Sequence, residues 1–260
     1  MKKFLLGSVG LAAMIAGPAM AADMRLPAPP PPVVYYDWSG AYIGFNAGGV
    51  WYDIDRTFPN SALAGVANHS TSGSDGIFGF HAGAQWQWGA WVLGAEAALS
   101  GCFRECRINS GTLPVPPFTA NTFSESKITN LFTVGPRLGY AWDRVMVYAT
   151  GGYASADLKG TYCSTVTGIC GPAVSGQNGA SRNNGWYAGG GFDYMVHKGA
   201  LVDVLLGLEY QHFDVGSHNA FCFNPGCNPG NAADYDLGAK GDIVRARLTI
   251  KTQGYGFWYR

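Results

Sequence analysis

Hydrophobic and polar positions alternate with a period of two in eight separate stretches of this chain, most cleanly from Gly241 to Lys251. There Val244, Ala246, Leu248 and Ile250 share one parity, and Arg245, Arg247, Thr249 and Lys251 share the other. Successive side chains of an extended chain point to opposite faces, so the pattern predicts a strand with one apolar and one cationic face. The same rhythm predicts strands at Tyr42–Trp51, Ile77–Trp86, Trp91–Leu99, Ile128–Trp142, Val145–Asp157, Trp186–Met195 and Leu201–His212. In the Ile128–Trp142 stretch, Phe132, Val134, Leu138, Tyr140 and Trp142 face away from Asn130, Thr133 and Arg137. Only Val145–Asp157 resists assignment, because Met146, Val147 and Tyr148 leave no polar face.

The connections alternate as well. Long polar stretches (Thr57–Asp75, Gly101–Ser126, Lys159–Arg182, Asp214–Lys240) take turns with tight ones at Trp88-Gly89-Ala90, Asp143-Arg144 and His197-Lys198-Gly199. Long loops at one end, short turns at the other and an even strand count predict an all-β fold, an eight-stranded antiparallel up-and-down transmembrane β-barrel. Each predicted strand has about the 10 residues a tilted membrane crossing needs. Pooling the polar parity gives a predicted lumen set of Asn46, His81, Gln85, Glu96, Arg137, Asp193, Asp203, Glu209, Gln211, Arg245 and Arg247. Both signs of charge occur in it, so acids and bases can pair inside a barrel of this size, whose interior is filled by side chains. A soluble ligand-holding barrel would put the apolar face inside and charge outside. The face opposite the lumen set carries almost no charge, which argues against that arrangement.

Composition agrees. Charged residues make up 13% of the 260-residue chain, aromatics 14%, and glycine is abundant at 38 residues, with zero formal net charge. No broad basic surface points to nucleic acid. Lys2 and Lys3 precede an apolar run from Phe4 to Ala16 and the small residues Ala19-Met20-Ala21, a secretory signal predicted to end at residue 21. Residues 22–37, with Pro27, Pro29, Pro30, Pro31 and Pro32, predict a polyproline-type periplasmic spacer, and residues 38–260 the barrel. No later segment has the ~20 apolar residues of a membrane-spanning helix, so a membrane location requires strands.

All six cysteines fall in predicted long loops. Secretion through an oxidising compartment and their clustering predict three loop-local disulfides, Cys102–Cys106, Cys163–Cys170 and Cys222–Cys227, rather than a metal site. His69 and His218 sit in loops and are candidate haem-iron or metal ligands. His81 reads as a hydrogen-bonded lumen residue and His212 as an interface residue. His212 with Asp214 superficially suggests a catalytic pair, but no strand supplies a nucleophile in register, so no enzyme activity and no cofactor are expected. The glycine runs at 48–49, 151–152 and 189–191 open no predicted helix and read as relief of crowding in curved strands rather than phosphate loops. Trp38, Trp51, Trp86, Trp91, Trp142 and Trp186 fit interfacial girdles.

Three segments carry a family resemblance: Ala19-Met20-Ala21-Ala22-Asp23, Trp38-Ser39-Gly40-Ala41-Tyr42-Ile43-Gly44 and Val244-Arg245-Ala246-Arg247-Leu248. They resemble alphaproteobacterial surface barrels of the Omp25/Omp31 type, within the OmpA-like eight-stranded porin superfamily. The resemblance implies an outer-membrane structural protein and surface antigen, with periplasmic turns and extracellular loops. It also implies outer-membrane lipid, lipopolysaccharide and the barrel-assembly machinery as partners. The alternatives are a small porin for water or small solutes, and a loop receptor for haemin or a host ligand.

Overall fold

The computed structural model describes residues 36–57, 69–110, 122–164, 170–172, 174–175, 181–217, 220–222 and 235–253. Eight long strands form the wall: β1 (Gly40–Thr57), β2 (His69–Trp88), β3 (Trp91–Cys102), β5 (Thr122–Trp142), β6 (Val145–Ser164), β9 (Ser181–Lys198), β10 (Val202–Val215) and β12 (Tyr235–Thr252). Each pairs antiparallel with the next, and β1 pairs with β12 to close the barrel. Four short strands extend the long-loop end. β4 (Arg107–Ser110) pairs β5 and β7 (Cys170–Pro172) pairs β6. β8 (Val174–Ser175) pairs β11 (Ala220–Cys222), which pairs β12. The fold is the eight-stranded antiparallel barrel that the alternation predicts.

The strands are longer than the sequence pattern suggests. β1, β2, β5, β6, β9 and β12 have 18–21 residues each. At ~3.3 Å per residue and a tilt of ~40°, such strands rise roughly 45–50 Å, against ~30 Å of hydrocarbon. The parts of the predicted polar stretches next to the strands are therefore wall. The apolar parity changes sides along a single strand. In β1, Ile43 and Phe45 point outward, but further along Val50, Tyr52 and Ile54 point inward while Asp53 and Asp55 face out. In β12, Leu248 and Ile250 point out, whereas Leu237, Ala239 and Ile243 point in and Lys240 faces out. One half of the barrel is greasy outside, and the long-loop half is greasy inside. That is the arrangement expected where the surrounding solvent changes from lipid to water.

The lumen parity of β6 is settled by its neighbours. Met146 and Tyr148 are buried inside while Val147 and Tyr153 face out. In β5 the β5–β6 register skips between Ile128 and Leu131, so Thr129 and Asn130 form a bulge. Asn130 lies on the outer wall with Phe132, whose parity it shares, not on the Thr133 and Arg137 face to which the sequence reading assigns it, and the bulge instead brings Ile128 onto the inner face beside Leu131. Two of the tight turns start at positive φ, Gly89 at 61° and Asp143 at 53°, as hairpin turns require.

Outward aromatics gather at two levels. Trp86, Trp88, Trp91 and Trp142 ring the tight-turn end, and Trp51, Tyr153, Trp186 and Tyr210 ring the upper level. Trp38 departs from the girdle reading: it is 0% exposed. Its indole lies in the tight-turn mouth with Val92, Ala141, Met146, Met195 and Leu205. Its backbone N–H donates to Gln87 Oε1 (2.8 Å) and its carbonyl accepts from Gln85 Nε2 (2.7 Å). The girdle reading fails here because Trp38 precedes the first paired residue and folds across the barrel end. Tyr36 already contacts the wall, its hydroxyl accepting from Arg144 Nε at 2.6 Å, so ordered contacts begin just before the residue-38 boundary.

Candidate functional site

The eleven polar positions pooled from the sequence, Asn46, His81, Gln85, Glu96, Arg137, Asp193, Asp203, Glu209, Gln211, Arg245 and Arg247, are all buried and all on the inner face. Six of them form a ladder of alternating sign across the lumen. Asp193 on β9 pairs with Arg137 on β5, whose Nη1 lies 3.7 Å from Glu96 Oε2 on β3. Arg247 on β12 grips Glu96 bidentately, at 2.7 and 2.6 Å, and reaches Glu209 on β10. Glu209 accepts from Arg245 Nε (2.9 Å) and Nη2 (2.6 Å), and Arg245 ends the ladder on Ser100 Oγ at 3.3 Å.

Only the Glu209–Arg245 rung joins residues directly opposite on neighbouring strands. Arg247–Glu209 and Arg137–Glu96 are diagonal pairs on adjacent strands, whereas Arg247–Glu96 and Arg137–Asp193 join strands that do not pair and use the long reach of arginine and its fork of donors. Nearer the tight-turn mouth, Asp203 pairs with Lys251 at 2.9 Å, and Lys251 also donates to the Ser39 carbonyl at 3.0 Å. Four acids (Glu96, Asp193, Asp203, Glu209) thus meet four bases (Arg137, Arg245, Arg247, Lys251). Burying one such charge alone would cost several kcal/mol, and the pairing offsets that cost.

Two tyrosines complete the ladder. Tyr42 Oη donates to Glu96 Oε2 at 2.9 Å, and Tyr148 Oη donates to Glu209 Oε2 at 2.8 Å. The Arg137 guanidinium stacks over the Tyr148 ring at 3.6 Å. Tyr42 and Lys251 lie on the polar parity of their strands and were legible there, whereas Tyr148 sits in the strand whose parity the sequence leaves open. His81 Nε2 meets Thr249 Oγ1 at 2.9 Å and Nδ1 lies 3.4 Å from Asn46 Nδ2, so His81 is a hydrogen-bonded lumen residue. The ladder lies between two apolar layers, the Trp38 cluster at the tight-turn mouth and a larger one around Val50, Tyr52, Ile77, Leu158, Phe213 and Ile243 at the long-loop end.

His212 faces outward at the upper girdle. Its Nδ1 contacts Asp242 Oδ1 at 2.9 Å, where Tyr210 Oη also donates at 2.6 Å. Its ring lies 5.6 Å from that of Trp186. The partner is Asp242, opposite on β12, not Asp214, which stands opposite Lys240. The side chains of the candidate ligands His69 and His218 lie outside the described residues.

The Cys102–Cys106 disulfide is present, with Cα atoms 5.4 Å apart. The β6–β7 register sets Cys163 opposite Cys170, but their side chains, like the Cys222–Cys227 pair, lie outside the described residues. Asp75 stands beside the Cys102 and Cys106 sulfurs. Its Oδ2 accepts from the backbone N–H groups of Arg104 (2.9 Å) and Cys106 (3.2 Å), so carboxylate and disulfide together clamp the turn. A four-residue separation gives about 2 kcal/mol of chain-entropy stabilisation. Replacing both cysteines by serine is expected to speed proteolytic cleavage between residues 103 and 127 while leaving heat-dependent gel mobility unchanged.

In the same turn, hydrogen bonds from Arg107 (2.8 Å) and Lys127 (2.9 Å) hold the Glu105 carboxyl down to about 2. A depressed carboxylate stabilises the turn above its ordinary range near 4.5 and loses that contribution as pH falls through about 2. Nearly half of the side chain is exposed, so the effect is small. NMR titration should place its midpoint near 2, and an ordinary carboxylate midpoint would refute the clamp.

A family model described as outer membrane protein beta-barrel domain matches residues 9–241. The chain is 32% identical over 233 residues to the 31 kDa outer-membrane immunogenic protein of Brucella melitensis, covering 84% of this chain and 89% of the relative. The same values hold for the protein of that name from Brucella suis. Among solved structures, the outer membrane protein OprG from Pseudomonas aeruginosa aligns at 12% identity over 81% of this chain and 96% of its own, with a TM-score of 0.44. The outer membrane protease OmpT from Escherichia coli aligns at 8% identity over 85% and 99%, with a TM-score of 0.46.

Proposed function

The chain belongs to the outer membrane protein β-barrel domain family, and on that premise we propose that it is a sealed structural barrel of the outer membrane. In this reading it displays its long loops at the cell surface and does not conduct. The observation that carries the proposal is the three-layered interior. Trp38 fills one mouth, a charge-balanced ladder crosses the middle, and an apolar core fills the long-loop half. A pore needs a wetted path, and eight strands leave room for little beyond side chains.

The strand lengths support the orientation. The long-loop half projects beyond the apolar belt with polar side chains such as Asp53, Asp55, Arg182 and Lys240 on its outer wall. Outer-membrane barrels keep tight turns in the periplasm and long loops outside. The immunogenicity named for the Brucella relatives is consistent with loops displayed at the surface.

The test is single-channel recording of the refolded protein in a planar bilayer, with folding checked by heat-dependent gel mobility. A silent bilayer is expected. Reproducible steps that vanish on boiling would replace the sealed reading with the small-porin one.

A further inference from the structure

On the outer wall over β3, β5, β6 and β9, at the upper aromatic level, lies a groove of about 480 Å³. Its floor is Leu99, Phe132 and Tyr153, and Asn130, Asp157 and Arg182 form its rim. It adjoins a second hollow of about 420 Å³ bordered by Thr129 and Lys159. The wall recedes here for a structural reason. The bulge takes Thr129 and Asn130 out of the β5–β6 ladder, and β3 leaves β5 after Ser100.

The charges around it are arranged for an anion. Lys127 and Lys159 stand directly opposite each other across β5 and β6, a placement that costs energy unless negative charge joins them. Lys127 has Glu105 at 2.9 Å, whereas Lys159 has no partner among the described residues. Asp157 is engaged on both oxygens, with Arg182 Nε at 3.0 Å and Asn130 Nδ2 at 3.3 Å. Beneath this polar rim the floor residues are 38–54% exposed.

We propose that the groove seats one phosphate-bearing lipid of the outer leaflet. The phosphate lies on Lys159, and an acyl chain lies over Leu99, Phe132 and Tyr153. This rests on the reading of the long-loop end as the outer one. A soluble anion would satisfy Lys159 but leave the apolar floor wet, so the two halves together select an amphiphile.

The test uses the full mature chain folded in phosphatidylcholine nanodiscs doped with diphosphoryl lipid A, with lipid A retained on the released barrel counted by native mass spectrometry. Lys159→Gln should lower retention roughly fivefold. Lys240→Gln, at a cation paired with Asp55 on the outer wall of β12 and β1, should leave it unchanged. Tyr153→Ala should weaken retention of lipid A but not binding of its acyl-free phosphorylated disaccharide. Equal retention by Lys159→Gln and wild type overturns the proposal, as does an equal loss in Lys240→Gln. Disaccharide binding as tight as lipid A would mean a soluble anion site instead. Conductance recorded on the same preparations separates this proposal from the sealed-barrel reading. A conducting barrel that retains lipid A through Lys159 defeats only the latter, and a silent barrel without retention defeats only the former.

Discussion

Glu209→Leu should destabilise the barrel by about 3–5 kcal/mol, the cost of leaving a buried charge without its partner. Glu209 is the carboxylate on which two guanidiniums and a phenol converge: Arg245 through two nitrogens, Arg247 through one, and Tyr148 through its hydroxyl. Both arginines are about 1% exposed, so water cannot replace the lost carboxylate without opening the wall. The expected readout is a lower urea midpoint for the refolded barrel, with the heat-dependent gel shift lost at a lower temperature. Removing the charge partner as well should recover much of the loss. In Glu209→Leu with Arg245→Met, Arg247 keeps its bidentate grip on Glu96, and the ladder ends two rungs earlier with its charges balanced. If the single variant were as stable as wild type, the ladder would be a filling of the lumen rather than a coupled network.

Trp38→Ala should cost a similar amount, about 3–5 kcal/mol, for a different reason: a large aromatic side chain leaves a cavity in the tight-turn mouth. The backbone hydrogen bonds of Trp38 to Gln87 and Gln85 do not need the side chain and should persist. The loss therefore reports packing against Met146, Met195 and Leu205. Trp38→Phe should be milder, since it keeps most of the volume and gives up only the long 3.4 Å indole contact with the Asp143 carbonyl. Planar-bilayer recordings of Trp38→Ala should stay silent, because the ladder and the upper apolar layer still close the lumen. Conductance on removing this one residue would make Trp38 the only seal and overturn the three-layer reading.

Much of this was legible from residue order alone. Period-two alternation needs only the geometry of an extended chain, and the long-short rhythm of connections follows from hairpins in a closed antiparallel wall. Together they locate eight strands and pick out Glu96, Arg137, Asp193, Glu209, Arg245 and Arg247 as one inner face. The pattern fails where the surroundings of a strand change along its length. Val50, Tyr52 and Ile54 carry the opposite apolar parity from Ile43 and Phe45, so a reading that assumes one solvent ends the strand where the solvent changes. A bulge has a related effect: it moves parity by one residue, so Ile128 turns inward although Asn130 and Phe132 of the same parity face out, and nothing local in Thr129-Asn130 announces it.

Residue order by itself thus determined the class of fold, the number of membrane-crossing strands and the inward side of the polar residues, because those depend on local geometry and hydrophobicity. Tertiary structure decided which acid meets which base. Strands that do not pair face each other across the lumen, and the Arg247–Glu96 and Arg137–Asp193 rungs join residues from such strands. It also decided that Trp38 fills a mouth instead of joining a girdle, since a residue ahead of the first paired position has no strand parity to place it. The outer groove belongs to tertiary structure too, because it exists only where a bulge in β5, the end of β3 and the outer faces of β6 and β9 come together.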